Sequence, residues 1–340
     1  MKALVLGPDR TLDLVERPEP SCVAPDDVVL KVEQTGFCGT DRGVLLGKFS
    51  AEPGVVMGHE AVGEVREIGT GVTTVKPGDR VIVNPTLYCG LCDRCRRGLL
   101  NFCVNKAGTE IGIDRDGAFA EYLRLEERFL YAIPDDMPYD RAVLVEPLAC
   151  VMNNLEAAGT RPGERVAVLG AGPIGMVAAL LADHYRATVR LIERDPFRRR
   201  TAEAFFRNLS CGAVSVCEPR DAPARSADLV IDTVGSLLTE SLTIAADLGR
   251  IVVMGFDEQA TATIRPLELL QRGLRVIGAG DYNSLLFARA VQTARHLPLE
   301  GIVSHHFRLD QVDAALTALG IGPDAEYAGM KVVLTPGAEA

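Results

Sequence analysis

From about residue 160 the chain alternates apolar runs of strand length with stretches of helical texture. The first runs are Arg165-Val166-Ala167-Val168-Leu169, Val189-Arg190-Leu191-Ile192 and Ala213-Val214-Ser215-Val216. Asp228-Leu229-Val230-Ile231, Gly249-Arg250-Ile251-Val252-Val253-Met254 and Leu274-Arg275-Val276-Ile277 complete the series. Strands this apolar are buried on both faces, which predicts a parallel sheet covered by helices. Residues 1–90 have a different rhythm, with short β-rich pieces separated by turns. Val28-Val29-Leu30-Lys31-Val32 and Ala61-Val62-Gly63-Glu64-Val65 read as strands, and the turn Lys76-Pro77-Gly78-Asp79 feeds a third at Arg80-Val81-Ile82-Val83. That spacing predicts an all-β barrel or sandwich. The tail Met330-Lys331-Val332-Val333-Leu334 reads as a late strand that returns to this first domain. The chain has no internal repeat and no low-complexity linker.

Composition narrows the class. A length of 340 residues suggests roughly two domains, and a chain of that size buries enough surface to fold without a disulfide scaffold. Hydrophobic residues are 47% and charged residues 24%, which excludes a disordered, collagen-like or coiled-coil chain. The 46 acidic residues outnumber the 36 basic ones, and the net charge of −10 repels phosphate backbones, against a nucleic-acid partner. The apolar run at Met1–Pro8 is too short for a signal peptide. No stretch reaches the ~18 apolar residues of a membrane span. Nine cysteines without an export signal point to a reducing compartment, the cytoplasm, where clustered thiols are metal ligands more often than disulfides.

A glycine-rich turn, Gly170-Ala171-Gly172-Pro173-Ile174-Gly175, follows the strand at 165–169 and precedes an apolar helix read at 176–185. Gly170 permits the tight turn, Gly172 lets the backbone approach a pyrophosphate, and Gly175 allows close packing of helix on strand. The helix N-terminus offers free N–H groups to the phosphates. Glu193 ends the next strand, where a carboxylate accepts from the ribose hydroxyls of an adenosine and repels a 2′-phosphate. NAD is therefore favoured over NADP. Arg194, with Arg198, Arg199 and Arg200 just beyond, keeps NADP open.

Two groups of cysteine and histidine residues carry metal chemistry. Cys89, Cys92, Cys95 and Cys103 have the spacing C-x-x-C-x-x-C-x7-C, and four thiolates of this kind wrap one tetrahedral zinc with no open position. Such a closed site is structural. The second group is dispersed: Cys38 in Gly36-Phe37-Cys38-Gly39-Thr40-Asp41, His59 and Glu60 in Gly58-His59-Glu60, and Glu146 before Pro147. A thiolate, an imidazole and one carboxylate leave a zinc position free for an oxygen ligand. The other four histidines, His184, His296, His305 and His306, have no comparable company.

Taken in order, these motifs resemble the zinc-dependent medium-chain dehydrogenases of the alcohol dehydrogenase superfamily, over essentially the whole chain. The carboxylate at Glu146 is similar to the polyol and sorbitol branch, and Cys38-Gly39-Thr40-Asp41-Arg42 is similar to sugar dehydrogenases. The resemblance implies an α/β architecture: a GroES-like β-barrel catalytic domain over 1–147, completed by about 291–340, and a doubly wound Rossmann domain over 148–290. It implies two zinc ions per subunit, one catalytic and one structural. It implies a homodimer or homotetramer that pairs through an edge strand at 274–280.

Roles carry over by position. Cys38 and His59 match the constant catalytic ligands, while Glu60 and Glu146 match positions that bind the metal directly or hold its water. Thr40 matches the hydroxyl that takes the proton from the substrate alcohol. Many relatives have a histidine five residues after the cysteine; here Gly43 stands there, so the proton relay ends differently. The implied reaction is reversible oxidation of a secondary hydroxyl of a polyol, sugar or (amino)cyclitol to a ketone, with hydride passing to NAD(P). A simple secondary alcohol is the next substrate class. A zinc-free reductase lacks the ligands at 38, 59 and 146, and a non-catalytic binding relative has only Gly43 in its favour.

Overall fold

The computed structural model describes residues 1–209, 212–322 and 325–337. The chain divides into two compact units, Met1–Glu146 with Asn283–Ala340, and Pro147–Tyr282. Strands β1 (Lys2–Leu6), β2 (Leu12–Glu16) and β3 (Asp27–Gly36) lead to helix α1 (Gly39–Leu45). Then come β4 (Glu60–Ile68), β5 (Arg80–Val83), the short α2 (Asp93–Arg96), β6 (Tyr122–Glu126) and β7 (Leu130–Ala132). The one-turn α3 (Tyr139–Ala142) precedes α4 (Val145–Ala158), whose second residue is Glu146.

The second unit alternates strand and helix. Its first half is β8 (Arg165–Leu169), α5 (Pro173–His184), β9 (Thr188–Ile192), α6 (Pro196–Asn208) and β10 (Val214–Cys217). Its second half is β11 (Ala227–Asp232), α7 (Leu238–Ile244), β12 (Ala245–Val253), α8 (Pro266–Arg272) and β13 (Arg275–Ile277). All six strands are parallel, in the order β10-β9-β8-β11-β12-β13. The chain winds outward from β8 to one edge and then from β11 to the other. Ligands of doubly wound sheets bind at that reversal, beyond the strand C-termini. Val166, Val168, Leu229 and Val230 are at most 1% exposed, as the unbroken apolar runs require.

The chain returns to the first unit through α9 (Phe287–Ala294), β14 (Val303–Phe307), α10 (Val312–Ala318) and β15 (Lys331–Leu334). The main sheet there runs β14-β15-β3-β4-β5-β7, with β6 also paired to β3. β15, from the end of the chain, lies antiparallel to β3. Alternate residues of β3, Val28, Leu30 and Val32, enter a core with Val65, Val81, Leu125 and Phe129. A second core gathers Leu4, Phe37, Met57, Phe119, Val332 and Leu334. Among the described residues no helix is long and apolar enough to cross a membrane.

Candidate metal centres and nucleotide site

Sheet register assembles the first site. Gly36 on β3 stands opposite Glu60 on β4, so Cys38, just beyond β3, meets His59, just before β4. On the other side of β3, Val333 stands opposite Gly36, which brings Lys331 to the same place. One ligand atom each from Cys38, His59 and Glu60 lie within 4.8 Å of one another. Donors on a single tetrahedral zinc stand roughly 3.5 Å apart, so the trio is near coordinating distance. Thr40 sits beside it, its Oγ1 3.7 Å from the Cys38 Sγ.

Charge explains why a cation belongs here. Glu60 and Lys331 are each 1% exposed and paired as carboxylate and ammonium, and the Lys331 Nζ also donates to the Phe37 carbonyl at 2.9 Å. A side chain at position 36 would collide with both partners, so the glycine makes room for them. Asp41 is fully buried in the first turn of α1 and its Oδ2 accepts the Cys38 N–H at 2.8 Å. Its Oδ1 stands 3.6 Å from the His59 Nδ1, and neither atom has a hydrogen-bond partner among the described residues.

Burial pushes the Asp41 carboxyl up, against the pull of His59. Burial also opposes a charged His59, yet Asp41, Cys38 and Glu146 together hold that imidazole well above its ordinary value. The anionic neighbours thus favour a proton on that imidazole. A metal on one nitrogen would displace that proton and turn the other N–H toward Asp41, the arrangement usual for ligating histidines. The donor set therefore fits zinc, which Cys38 and His59 would hold with Glu60 or Glu146. Glu146, in the first turn of α4, is 8% exposed; it lies outside the close trio, and its charge reaches His59.

The four-cysteine lobe is compact. Sγ separations are 3.6 Å for Cys89–Cys103 and 4.0 Å for both Cys89–Cys95 and Cys92–Cys103. The edge of a tetrahedral zinc–thiolate site is about 3.8 Å. The amides of Leu91 and Cys92 each point at the Cys89 Sγ at 3.4 Å, and the Cys95 amide points at the Cys92 Sγ at 3.4 Å. The Leu91 and Cys92 amides hold the Cys89 thiol down at about 6, while burial pushes Cys95 up to about 12. All the described cysteines are free of disulfides. The lobe fits a closed zinc site.

In the second unit, Gly170 follows β8 at φ +96°, and α5 starts at Pro173 with Gly172 at its N-cap. The helix thus begins three residues earlier than its apolar pattern predicts, because proline at the first position needs no hydrogen bond. A Cβ at Gly175 would overlap the Gly170 carbonyl, so only glycine lets α5 pack this closely on the turn. Glu193 is 6% exposed; its Oε2 accepts from the Ala171 N–H and its Oε1 from the Asp195 N–H, both at 2.7 Å. It thereby ties the glycine turn to the end of β9. Arg198 lies beside the turn, 3.6 Å from where a Cβ at Gly172 would stand. Arg194 is exposed.

Two residues went unassigned by sequence reasoning. Asp41 lies inside a quoted motif, where nothing local marks it as the neighbour of His59. Lys331 is 271 positions from Glu60, and no local signal pairs them.

Residues 24–135 match the family model of the alcohol dehydrogenase GroES-like domain. The chain is 33% identical to D-altritol 5-dehydrogenase of Agrobacterium fabrum, over 85% of this chain and 87% of that protein. It is 29% identical to sorbitol dehydrogenase of Bacillus subtilis, covering 93% and 92% respectively. A solved structure from Sinorhizobium meliloti 1021, described as a zinc-binding dehydrogenase bound to NADP, superposes with a TM-score of 0.87 at 32% identity, covering 98% and 99% of the two chains. With its GroES-like and Rossmann units, the chain belongs to the zinc-dependent medium-chain dehydrogenases, on their polyol dehydrogenase branch.

Proposed function

We propose that this protein oxidises a secondary hydroxyl of a polyol, sugar or (amino)cyclitol to a ketone, and runs the reverse reduction with the same groups. The observation that carries this reading is the trio of Cys38, His59 and Glu60 with the Thr40 hydroxyl beside it. A zinc ion held there supplies Lewis-acid polarisation of a hydroxyl oxygen. The Thr40 Oγ1 is placed to accept the hydroxyl proton, and a nicotinamide dinucleotide held at the Gly170–Gly175 turn would supply the two-electron hydride acceptor that lets the carbinol become a ketone. Gly43 offers no imidazole to receive the proton, so a bound nucleotide's ribose hydroxyls and water would have to carry it on. Asp41 orients His59, and Lys331 holds Glu60.

The relatives support the substrate class: D-altritol 5-dehydrogenase and sorbitol dehydrogenase both act on polyols by name. The glycine turn, Gly170 to Gly175 with Pro173 and Ile174, receives the pyrophosphate. Glu193 favours NAD over NADP, with Arg194 beside it at the ribose. A second zinc in the four-cysteine lobe brings the total to two per chain. Leu267, Leu270 and Val276 are 59%, 78% and 40% exposed on α8 and the edge strand β13. An open strand edge beside exposed apolar side chains suits pairing with a second copy, as a homodimer or homotetramer. Cysteines without disulfides among the described residues suit the cytoplasm.

Initial rates for a panel of polyols, sugars and simple secondary alcohols, each with NAD and NADP, test the reading. Turnover is expected to be highest for a polyol-type substrate with NAD. A preference for simple alcohols would replace the substrate class, and zinc-loaded protein inert on every substrate would remove the enzymatic reading.

A further inference from the structure

Glu146 stands at the head of α4, directly after α3, a single turn of four residues. A helix that short does not persist by its own hydrogen bonds, and Pro138 at its N-cap offers no capping side chain. The first unit instead ties it down from several sides. Arg80 donates to the Met137 carbonyl at 2.8 Å and stacks over the Tyr139 ring at 4.4 Å. The Asp140 Oδ1 lies 2.8 Å from the Gln34 Nε2 and 2.8 Å from the His306 Nε2. Gln34 belongs to β3, the strand that presents Cys38 four residues later. The firmest tie is at Arg141, whose guanidinium forks onto Glu300, with Nε to Oε2 at 2.7 Å and Nη2 to Oε1 at 2.6 Å.

A half-exposed ion pair contributes little to stability, but a bidentate fork fixes direction as well as distance. Between it and Glu146 lie only Ala142, Val143, Leu144 and Val145, none more than 1% exposed. Movement of the fork is therefore transmitted through packed chain to the carboxylate. We infer that Arg141 and Glu300 are positioning residues: their fork sets how Glu146 stands toward Cys38 and His59, and so how it takes part in holding the metal. This rests on reading Glu146 as part of that site.

The test uses the full chain with zinc in the four-cysteine lobe and Co2+ at the Cys38–His59 site. Its readouts are the Co2+ ligand-field spectrum, affinity by chelator competition, and thermal melting. Glu300→Gln is expected to weaken affinity at that site about tenfold, in the range for residues that support ligands. The Co2+ bands shift, lobe metal is unchanged, and melting changes little. Arg141→Lys, which keeps the charge and loses the fork, is expected to give the same spectral shift and serves if Glu300→Gln fails to fold. The charge-reversed pair Arg141→Glu with Glu300→Arg is expected to restore much of the original spectrum. A lower melting temperature with unchanged bands and affinity would overturn the inference. Glu146→Ala separates the levels: if it alters the bands and the fork variants do not, positioning fails; if it alters nothing, the reading of Glu146 fails and the inference with it.

Discussion

Replacing Lys331 by Met removes one buried charge and leaves the stem of the side chain nearly intact. The ammonium serves Glu60 and the Phe37 carbonyl, and both Lys331 and Glu60 are 1% exposed, so water does not substitute readily. Breaking a buried pair by deleting one partner costs about 3–5 kcal/mol, because the surviving charge is stranded. For a unit of this size, that lowers the melting temperature of metal-depleted protein by roughly 6–20 °C. Zinc offsets part of that loss. Glu60 also faces Cys38 and His59, and a carboxylate released from its ammonium is more available to a cation. Zinc-loaded Lys331→Met should therefore lose less stability than the depleted form, and its zinc affinity should rise. Scanning fluorimetry and urea unfolding with and without zinc read both effects, and Lys331→Arg, which keeps the charge, should stay near the parent. A depleted variant melting within a degree of the parent, or a larger loss in the loaded form, would refute the reasoning.

Cys38→Ala and His59→Ala should each abolish turnover while NAD binding, followed by nicotinamide fluorescence, stays close to the parent. Cys92→Ser should reduce zinc content by one per chain and destabilise the fold, since a structural zinc contributes its binding free energy to folding; unchanged metal analysis and melting would contradict this. His59 is held above its ordinary value in the metal-free site, so proton and zinc compete for it. Zinc affinity at that site should fall as pH drops below the raised value, and calorimetry in buffers of different ionisation enthalpy should register at least one proton released per zinc.

The sheet of the second unit was legible because its inner strands β8, β11 and β12 are largely buried and read as apolar runs. The edge strands β10 and β13 carry apolar residues too but are half-buried or exposed, so the expectation of burial on both faces holds only inside the sheet. The edge elements of the first unit were harder to see. β2 has the burial pattern of one buried residue followed by mostly exposed ones, and β7 has only three residues, too little for a period to register. The zinc lobe was readable because its four ligands lie within 15 residues and ligand spacing is a local property. The electrostatics around the other site are not local. Lys331 reaches Glu60 only because β15 returns beside β3, and Glu300 reaches Arg141 across 159 positions. His306, without company along the chain, finds Asp140 by the same means. A charge in a sequence looks solvated until the fold removes the water.

Zinc content and NADH formation with a polyol, measured on the same preparations during stepwise chelation, test the metal's place in the reaction most directly. With the four-cysteine lobe still filled, the rate should fall in proportion to occupancy of the Cys38–His59 site and reach zero when it is empty. Full turnover from protein whose Cys38 and His59 hold no metal would contradict that role.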